Sequence, residues 1–154
     1  MKIRAVLLVV FATTLTLHAS SRVNPNGPYD LSHNIPVKPG LANLTPGDSI
    51  TVDAINGSAG KIAEGNIYKI DGHYTLQSRD SANLTAGVTS EDTSHHPAVK
   101  NGTVEIARGD GTFSVYMYVW HQGDPHICLY PDSKGGDSID CLYFNGPDSW
   151  SLKR

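Results

Sequence analysis

Apolar and polar side chains alternate residue by residue over several short stretches of this chain, and that two-residue period constrains the fold more than any other feature. The alternation runs over 50–54, 68–77, 82–88 and 104–106. Successive side chains of a strand point to opposite faces of a sheet, so each stretch predicts an antiparallel strand with one buried face. After residue 21, no window shows the sustained 3.6-residue apolar period that indicates an amphipathic helix.

Turn-rich segments separate these stretches, among them SRDS at 78–81, RGDG at 108–111 and HQGDP at 121–125. Seven or so short strands joined by such turns predict an all-β fold, a single antiparallel β-sandwich, with a small β-barrel as the alternative. We interpret the RGD triplet as a hairpin turn rather than an integrin motif, because strand patterns flank it on both sides.

The first 21 residues have the order of a secretory signal peptide. Lys2 and Arg4 precede an apolar run over 5–17, and small residues follow at 19–21. The run has about 13 residues, whereas a membrane span needs about 20. The sequence therefore predicts a cleaved leader, with an uncleaved anchor as the alternative, and a secreted or periplasmic protein that has no membrane span once the leader is removed.

Residues 22–47 carry five of the nine prolines of the chain. Proline fixes φ and lacks an N–H donor, so this segment is neither a helix nor a central strand. We expect an arm that is either flexible or lies across the domain as an extended strap. The predicted organisation is a signal peptide over 1–21, a Pro/Asn-rich arm over 22–47 and one β-domain over 48–154.

The two cysteines, Cys128 and Cys141, predict a disulfide. The turn residues Lys134 to Gly136 lie midway between them, so a hairpin about that centre places residues whose numbers sum to about 269 opposite each other. In an exported chain this predicts a cross-strand bridge worth about 3 kcal/mol. Two free buried thiols are the alternative.

Charge and motifs exclude several classes of function. All 15 acids, but only 10 of the 12 Lys and Arg, follow residue 21, which gives that part of the chain a formal charge of about −5. No basic patch with interleaved aromatics is present, so a nucleic-acid partner is not expected. No nucleophile elbow occurs, and we predict no catalytic residue and no cofactor. A pair formed by Asp71 and His73 on one strand face is the catalytic alternative.

Three aromatic residues share one face of a predicted strand, opposite the parity of its apolar residues. Tyr116, Tyr118 and Trp120, here called the aromatic strip, stand two residues apart, at intervals of about 7 Å. Such a strip suits stacking against a sugar or another planar ring. The alternative is that the arm over 22–47 covers it.

Two histidines, His121 and His126, flank the turn that follows the strip, with Asp124 between them. Two imidazoles and a carboxylate suit zinc or copper, but this spacing is not diagnostic, and we predict no metal site. The predicted ligand-binding residues are Tyr116, Tyr118, Trp120, His121 and His126.

Three runs carry a family resemblance: EGNIYKIDGHYTLQSRDSANLTAGVTS at 64–90, GDGTFSVYMYVWHQGDPHICLYP at 109–131 and GDSIDCLYFNGPDSWSLK at 136–153. Together they resemble a recurring small domain of exported bacterial proteins of unknown function. The resemblance implies an all-β exported domain over about 48–153 and brings no known active site. The cysteine pair departs from that family pattern.

These features favour a non-catalytic exported module that binds a glycan or an extracytoplasmic protein through the aromatic strip. One alternative is a metal-dependent or Asp/His hydrolase of the periplasm or cell surface. Another is a structural surface-assembly domain whose aromatic strip pairs with a second copy.

Overall fold

The fold is described by a computed structural model over residues 22–89, 96, 98–131 and 138–146. Within those ranges the chain forms strands and no helix, which confirms the all-β class. The seven strands are β1 (His33–Ile35), β2 (Pro39–Asn43), β3 (Ser49–Gly57), β4 (Ile67–Thr89), β5 (Thr103–Tyr118), β6 (Asp124–Tyr130) and β7 (Asp140–Phe144).

All seven strands belong to one antiparallel sheet. Six of them follow the order β1-β3-β4-β6-β7-β2, and the seventh, β5, pairs with β4 as an additional neighbour. The long strand β4 organises it, because β3 pairs with its first half, β6 with its second half and β5 with both. The sheet curls so far that Tyr116 N, near the end of β5, donates to Asn101 O, just before its start, at 3.0 Å. This curled sheet also fits the small-barrel alternative.

Two segments predicted as turns lie inside strands instead, SRDS in β4 and RGDG in β5. The pairing of β4 with β5 shifts register between Leu76 and Ser81, and Gly109 adopts a φ of 110°. A bulge with a positive-φ glycine bends a strand and uses the same residue types as a turn. The prediction of a hairpin turn at RGD is therefore wrong, and the triplet is part of a bend in one continuous strand.

The inner face of the curled sheet holds one hydrophobic core. Side chains from both halves of β4 and β5 join a single cluster with residues of β1, β3, β6 and β7. Ile55, Ile70, Val115, Ile127 and Leu129 are completely buried in it. Each such side chain stabilises the fold by about 1.5–3 kcal/mol, so the alternation seen in the sequence fixes which face of each strand points outward.

The arm lies across the domain as an extended strap and supplies both ends of the sheet. β1 pairs with β3 at one edge, and β2 pairs with β7 at the opposite edge. Pro39 is the first residue of an edge strand, a position where its missing N–H is tolerated. Between the two strands, Asn145 N donates to Lys38 O at 2.8 Å, and Asn145 Nδ2 donates to Pro36 O at 2.9 Å.

The predicted disulfide is confirmed. Cys128 and Cys141 face each other directly in the β6–β7 pair, with their Cα atoms 4.2 Å apart and their sulfurs bonded. The predicted turn at Lys134 to Gly136 and the predicted leader at 1–21 lie outside the described residues. In the part of the chain that the structure describes, no helix is long and apolar enough to cross a membrane.

Candidate functional site

A pocket of about 350 Å³ lies on the outer face of the sheet, where the end of β5 comes back to its own start and to the end of β4. It brings together the whole aromatic strip and His121, four of the five residues predicted to bind a ligand. The lining residues are Thr85, Ala86, Gly87, Val88, His96, Ala98, Val99, Gly102, Thr103, Tyr116, Tyr118, Trp120 and His121.

The aromatic wall of the pocket follows from the register of β5. Val115, Met117 and Val119 belong to the core, so Tyr116 and Tyr118 between them point to the opposite face. Trp120 follows the end of β5. The rings of Tyr118 and Trp120 lie 4.3 Å apart and tilt by 45°. Tyr118 is only 5 % exposed, whereas Tyr116 and Trp120 are half-buried and keep part of their surface open to the pocket.

The arm covers the tyrosine end of the aromatic strip. Tyr118 Oη donates to Val23 O at 3.0 Å, and Val23 N in turn donates to Gly65 O at 2.8 Å. The ring of Tyr29 lies 5.4 Å from that of Tyr116. Burial raises the pKa of both Tyr29 and Tyr118. The start of the arm is thus part of the same packed surface as the strip.

A histidine covers the other end of the aromatic strip. The ring of His96 stacks on the indole of Trp120, with centroids 4.9 Å apart and planes at 8°. Its Nε2 lies 2.8 Å from Nε2 of His121. Sequence reasoning missed His96, because two adjacent histidines in a polar segment give no sign of which strand they will contact.

Hydroxyl groups form the opposite rim of the pocket. Thr85 and Thr103 face each other across β4 and β5, with their Oγ1 atoms 2.9 Å apart. Gly87 also lines the pocket, and a Cβ there would meet Nε2 of His126 at 3.4 Å. The pocket therefore combines an aromatic wall with hydroxyl and imidazole groups that donate and accept hydrogen bonds.

His126, the fifth predicted ligand-binding residue, does not line the pocket. Its Nδ1 lies 3.0 Å from both Thr89 Oγ1 and the carbonyl of Asp124, and its ring packs 5.4 Å from that of Tyr143. Burial lowers the pKa of His126 despite the opposing effect of Asp124. Among the described residues, no group of three or more His, Cys, Asp or Glu side chains is placed to hold a metal.

The Asp71–His73 pair considered for catalysis does not form. Asp71 binds Lys69 at 2.9 Å, while His73 Nδ1 lies 3.0 Å from Asp53 on the neighbouring strand β3. Burial raises the pKa of Asp71, but hydrogen bonds from Lys69 and Ser114 outweigh it, so the pKa is lowered overall. The side chains of His73 and Asp53 are about half exposed.

Two buried carboxyl groups, Asp48 and Asp140, were missed by sequence reasoning. Asp48 Oδ1 accepts from the backbone N–H groups of Gln77 and Ser78 at 2.7 and 2.9 Å, and Asp140 Oδ1 accepts from Thr45 Oγ1 at 2.9 Å. Burial raises the pKa of Asp48, but hydrogen bonds from Ser78 and Gln77 lower it below its ordinary value. The pair fastens the bend of β4 to the end of the arm.

No family model, curated protein or solved structure matches this chain. The resemblance to a small exported bacterial domain therefore stays a prediction, and the site must be interpreted from its own geometry.

Proposed function

We propose that this protein is an exported, non-catalytic binding module that holds one small neutral ring, such as a sugar ring, in the pocket beside the aromatic strip. The observation that carries the proposal is the pocket itself, in which three aromatic side chains face two threonine hydroxyls. Its volume, about 350 Å³, falls within the usual range for small-molecule sites.

The chemistry of the lining favours an uncharged ligand. None of the described lining residues is an Asp, Glu, Lys or Arg. The half-buried faces of Tyr116 and Trp120 offer stacking surface, and the threonine hydroxyls offer hydrogen bonds to a ring that carries hydroxyl groups. Glycoside hydrolysis ordinarily needs two carboxyl groups flanking the bond, and this lining supplies neither, so binding without catalysis is favoured.

Export is part of the proposal and is supported by two observations. The chain has the order of a signal peptide at its amino end. Its two cysteines form a disulfide, which persists in oxidising compartments outside the cytoplasm. We therefore place the protein in the periplasm or outside the cell.

Fluorescence titration tests the binding proposal. The chain has two tryptophans, so a Trp150→Phe background isolates the signal of Trp120. We expect neutral mono- and disaccharides to change that signal saturably, and Tyr116→Ala to weaken binding at least tenfold. Tyr143→Phe, which lies outside the pocket lining, is the matched control. The absence of any saturable change, or equal affinity in Tyr116→Ala, would overturn the proposal.

A structural role is the second candidate, and the covered tyrosine end of the strip favours it. In that case the strip serves to dock the arm, and the pocket holds no ligand. Sedimentation of Tyr29→Ala separates the two, because uncovering Tyr116 in a surface-assembly domain should promote self-association. A binding module should stay monomeric and keep its sugar affinity.

A further inference from the structure

We propose that His96 and His121 form a two-imidazole site for a divalent transition metal such as Zn²⁺ or Cu²⁺ at the edge of the pocket. The inference is independent of the proposed sugar ligand. It starts from one contact, in which the Nε2 atoms of the two rings face each other at 2.8 Å while the ring centroids are 4.7 Å apart. Without an ion, these nitrogens share a single N–H···N hydrogen bond, in which one ring donates and the other accepts.

The contact is close to the geometry that one metal ion would impose. Nitrogen ligands lie about 2.0–2.1 Å from zinc, so two imidazoles at tetrahedral or square-planar angles have their nitrogens about 2.9–3.3 Å apart. The observed separation is 2.8 Å. A shift of a few tenths of an ångström therefore converts the hydrogen-bonded pair into two ligands of one ion.

Trp120 restrains the His96 imidazole, and His96 in turn contacts His121. The His96 ring is stacked on the Trp120 indole, and its Nε2 lies 2.8 Å from Nε2 of His121. Rings restrained in this way lose little freedom when an ion binds. Both histidines line the pocket, so the remaining coordination positions of the ion face the space where water or a ligand hydroxyl would lie.

The donor set decides which metals bind and how tightly. Imidazole nitrogens favour zinc, copper and nickel, whereas calcium and magnesium prefer oxygen ligands. Since the described residues supply no cluster of three ligands, binding should be weaker than at a structural zinc site with four protein ligands. Acidification weakens it, because both imidazoles must be neutral to bind the ion.

Other histidines of the chain provide internal controls. His73 lies beside Asp53, and both side chains are about half exposed, so His73 is accessible to a metal ion. It lies away from the aromatic strip and therefore serves as a control. His126 faces Thr89 and Tyr143 rather than the pocket. A metal that bound surface histidines in general would use His73 at least as readily as His96.

The test titrates Cu²⁺ alone, and then Zn²⁺ alone, into the chelator-treated Trp150→Phe protein with no sugar present. A copper ion on His96 quenches the stacked indole, so we expect saturable quenching with one equivalent, reversed by chelator. His96→Ala and His121→Ala should each weaken binding at least tenfold, while His73→Ala leaves it unchanged. Ca²⁺ should have no effect.

Calorimetry with Zn²⁺ supplies a readout that does not depend on the indole, and circular dichroism confirms that each variant is folded. Where an alanine variant fails to fold, His121→Gln replaces it, which keeps the volume but not the ligand. Unchanged affinity in folded His96 and His121 variants, or loss of binding in His73→Ala, would overturn the proposal. The sugar titration stands apart, so the two proposals succeed or fail separately.

Discussion

The two ends of the aromatic strip have different neighbours. At the tyrosine end, Tyr118 is 5 % exposed and its hydroxyl is bonded to the backbone of the arm. At the other end, Trp120 is half-buried, the His96 imidazole stacks on it, and a pocket lies beside it. The same two-residue spacing thus provides a buried ring at Tyr118 and a partly accessible ring at Trp120, and the segment that lies over each ring decides which.

The largest difference between the two ends should appear in stability. Tyr118→Ala removes a buried ring and its bond to Val23, and should lower the free energy of unfolding by about 3 kcal/mol. Trp120→Ala removes a half-buried ring and should cost less, about 1–2 kcal/mol. Urea unfolding followed by circular dichroism measures both. An equal or larger loss in Trp120→Ala would erase the distinction between the ends.

Asp48, which lies away from both ends of the aromatic strip, provides a destabilised variant for comparison. Asp48→Asn weakens the acceptor that holds the bend of β4 and should cost about 2 kcal/mol at neutral pH. The lowered pKa of Asp48 stabilises the fold above its unfolded pKa, and this stabilisation disappears as the pH falls through the folded pKa. Denaturation curves at pH 7 and pH 3 should therefore differ less for the variant than for the wild type. Trp120 fluorescence in the folded variant should be unchanged.

The arm should be loosened selectively by Tyr29→Ala. The substitution removes the ring packed against Tyr116 and should cost about 1 kcal/mol. We expect faster proteolysis within 22–32 and unchanged quenching of Trp120 by copper. The conservative variant Tyr29→Phe keeps the ring contact and serves as the control. A loss of the copper response in Tyr29→Ala would show that the two ends are coupled rather than separate.

Alkaline titration of the tyrosines tests whether the arm seals Tyr118, and the expected change in stability is smaller than for the substitutions above. Burial raises the pKa of Tyr29 and Tyr118 above the ordinary value for tyrosine, so their neutral forms stabilise the packed arm. This contribution is complete below the unfolded pKa of about 10 and is lost as the pH rises through the folded values. Absorbance of tyrosinate should show late-titrating groups, of which Tyr29→Phe and Tyr118→Phe each remove one. Burial also raises the pKa of Tyr68 and Tyr130, so those two should remain. Equal titration of all tyrosines would argue against a sealed end.

The smallest change in the free energy of unfolding is expected at the ion pair between Arg22 and Glu64. Arg22 Nη2 lies 2.7 Å from Glu64 Oε1, where the arm begins. Both side chains are more than one-third exposed, so Glu64→Gln should cost at most about 0.5 kcal/mol. That loss should vanish in high salt, since screening weakens the pair in the wild type as well. Thermal melts at two salt concentrations measure it, and a large salt-independent loss would contradict a surface role.

The sequence predicted well wherever a local pattern fixes the geometry. Alternation predicted that Tyr116 and Tyr118 share the face of β5 opposite its core residues, and the centre of the predicted hairpin predicted the register of Cys128 and Cys141. Both predictions follow from the period of a strand, which depends only on covalent geometry. For the same reason, the all-β class was accessible without any tertiary information.

The errors concern features that only tertiary contacts decide. Gly109 and the polar residues at 78–81 are equally suited to a turn and to a bulge, and the long register of β4 with β5 selects the bulge. The sequence did not decide whether the arm is flexible or lies across the domain, because the pairing of its strands depends on residues elsewhere in the chain. No sequence pattern indicated the contacts of His96, Asp48 or Asp140, since their partners are 25 or more residues away in the chain.

The two edge strands donated by the arm set a condition on how this chain can fold. β2 pairs with β7, so that Pro39 lies opposite Phe144. During translation, Pro39 is synthesised 105 residues before Phe144. Pairing over such a separation is slow, because a long loop has to close before the contact forms. β2 therefore has no partner strand until β7 has been synthesised, whereas β1 can pair with β3 much earlier.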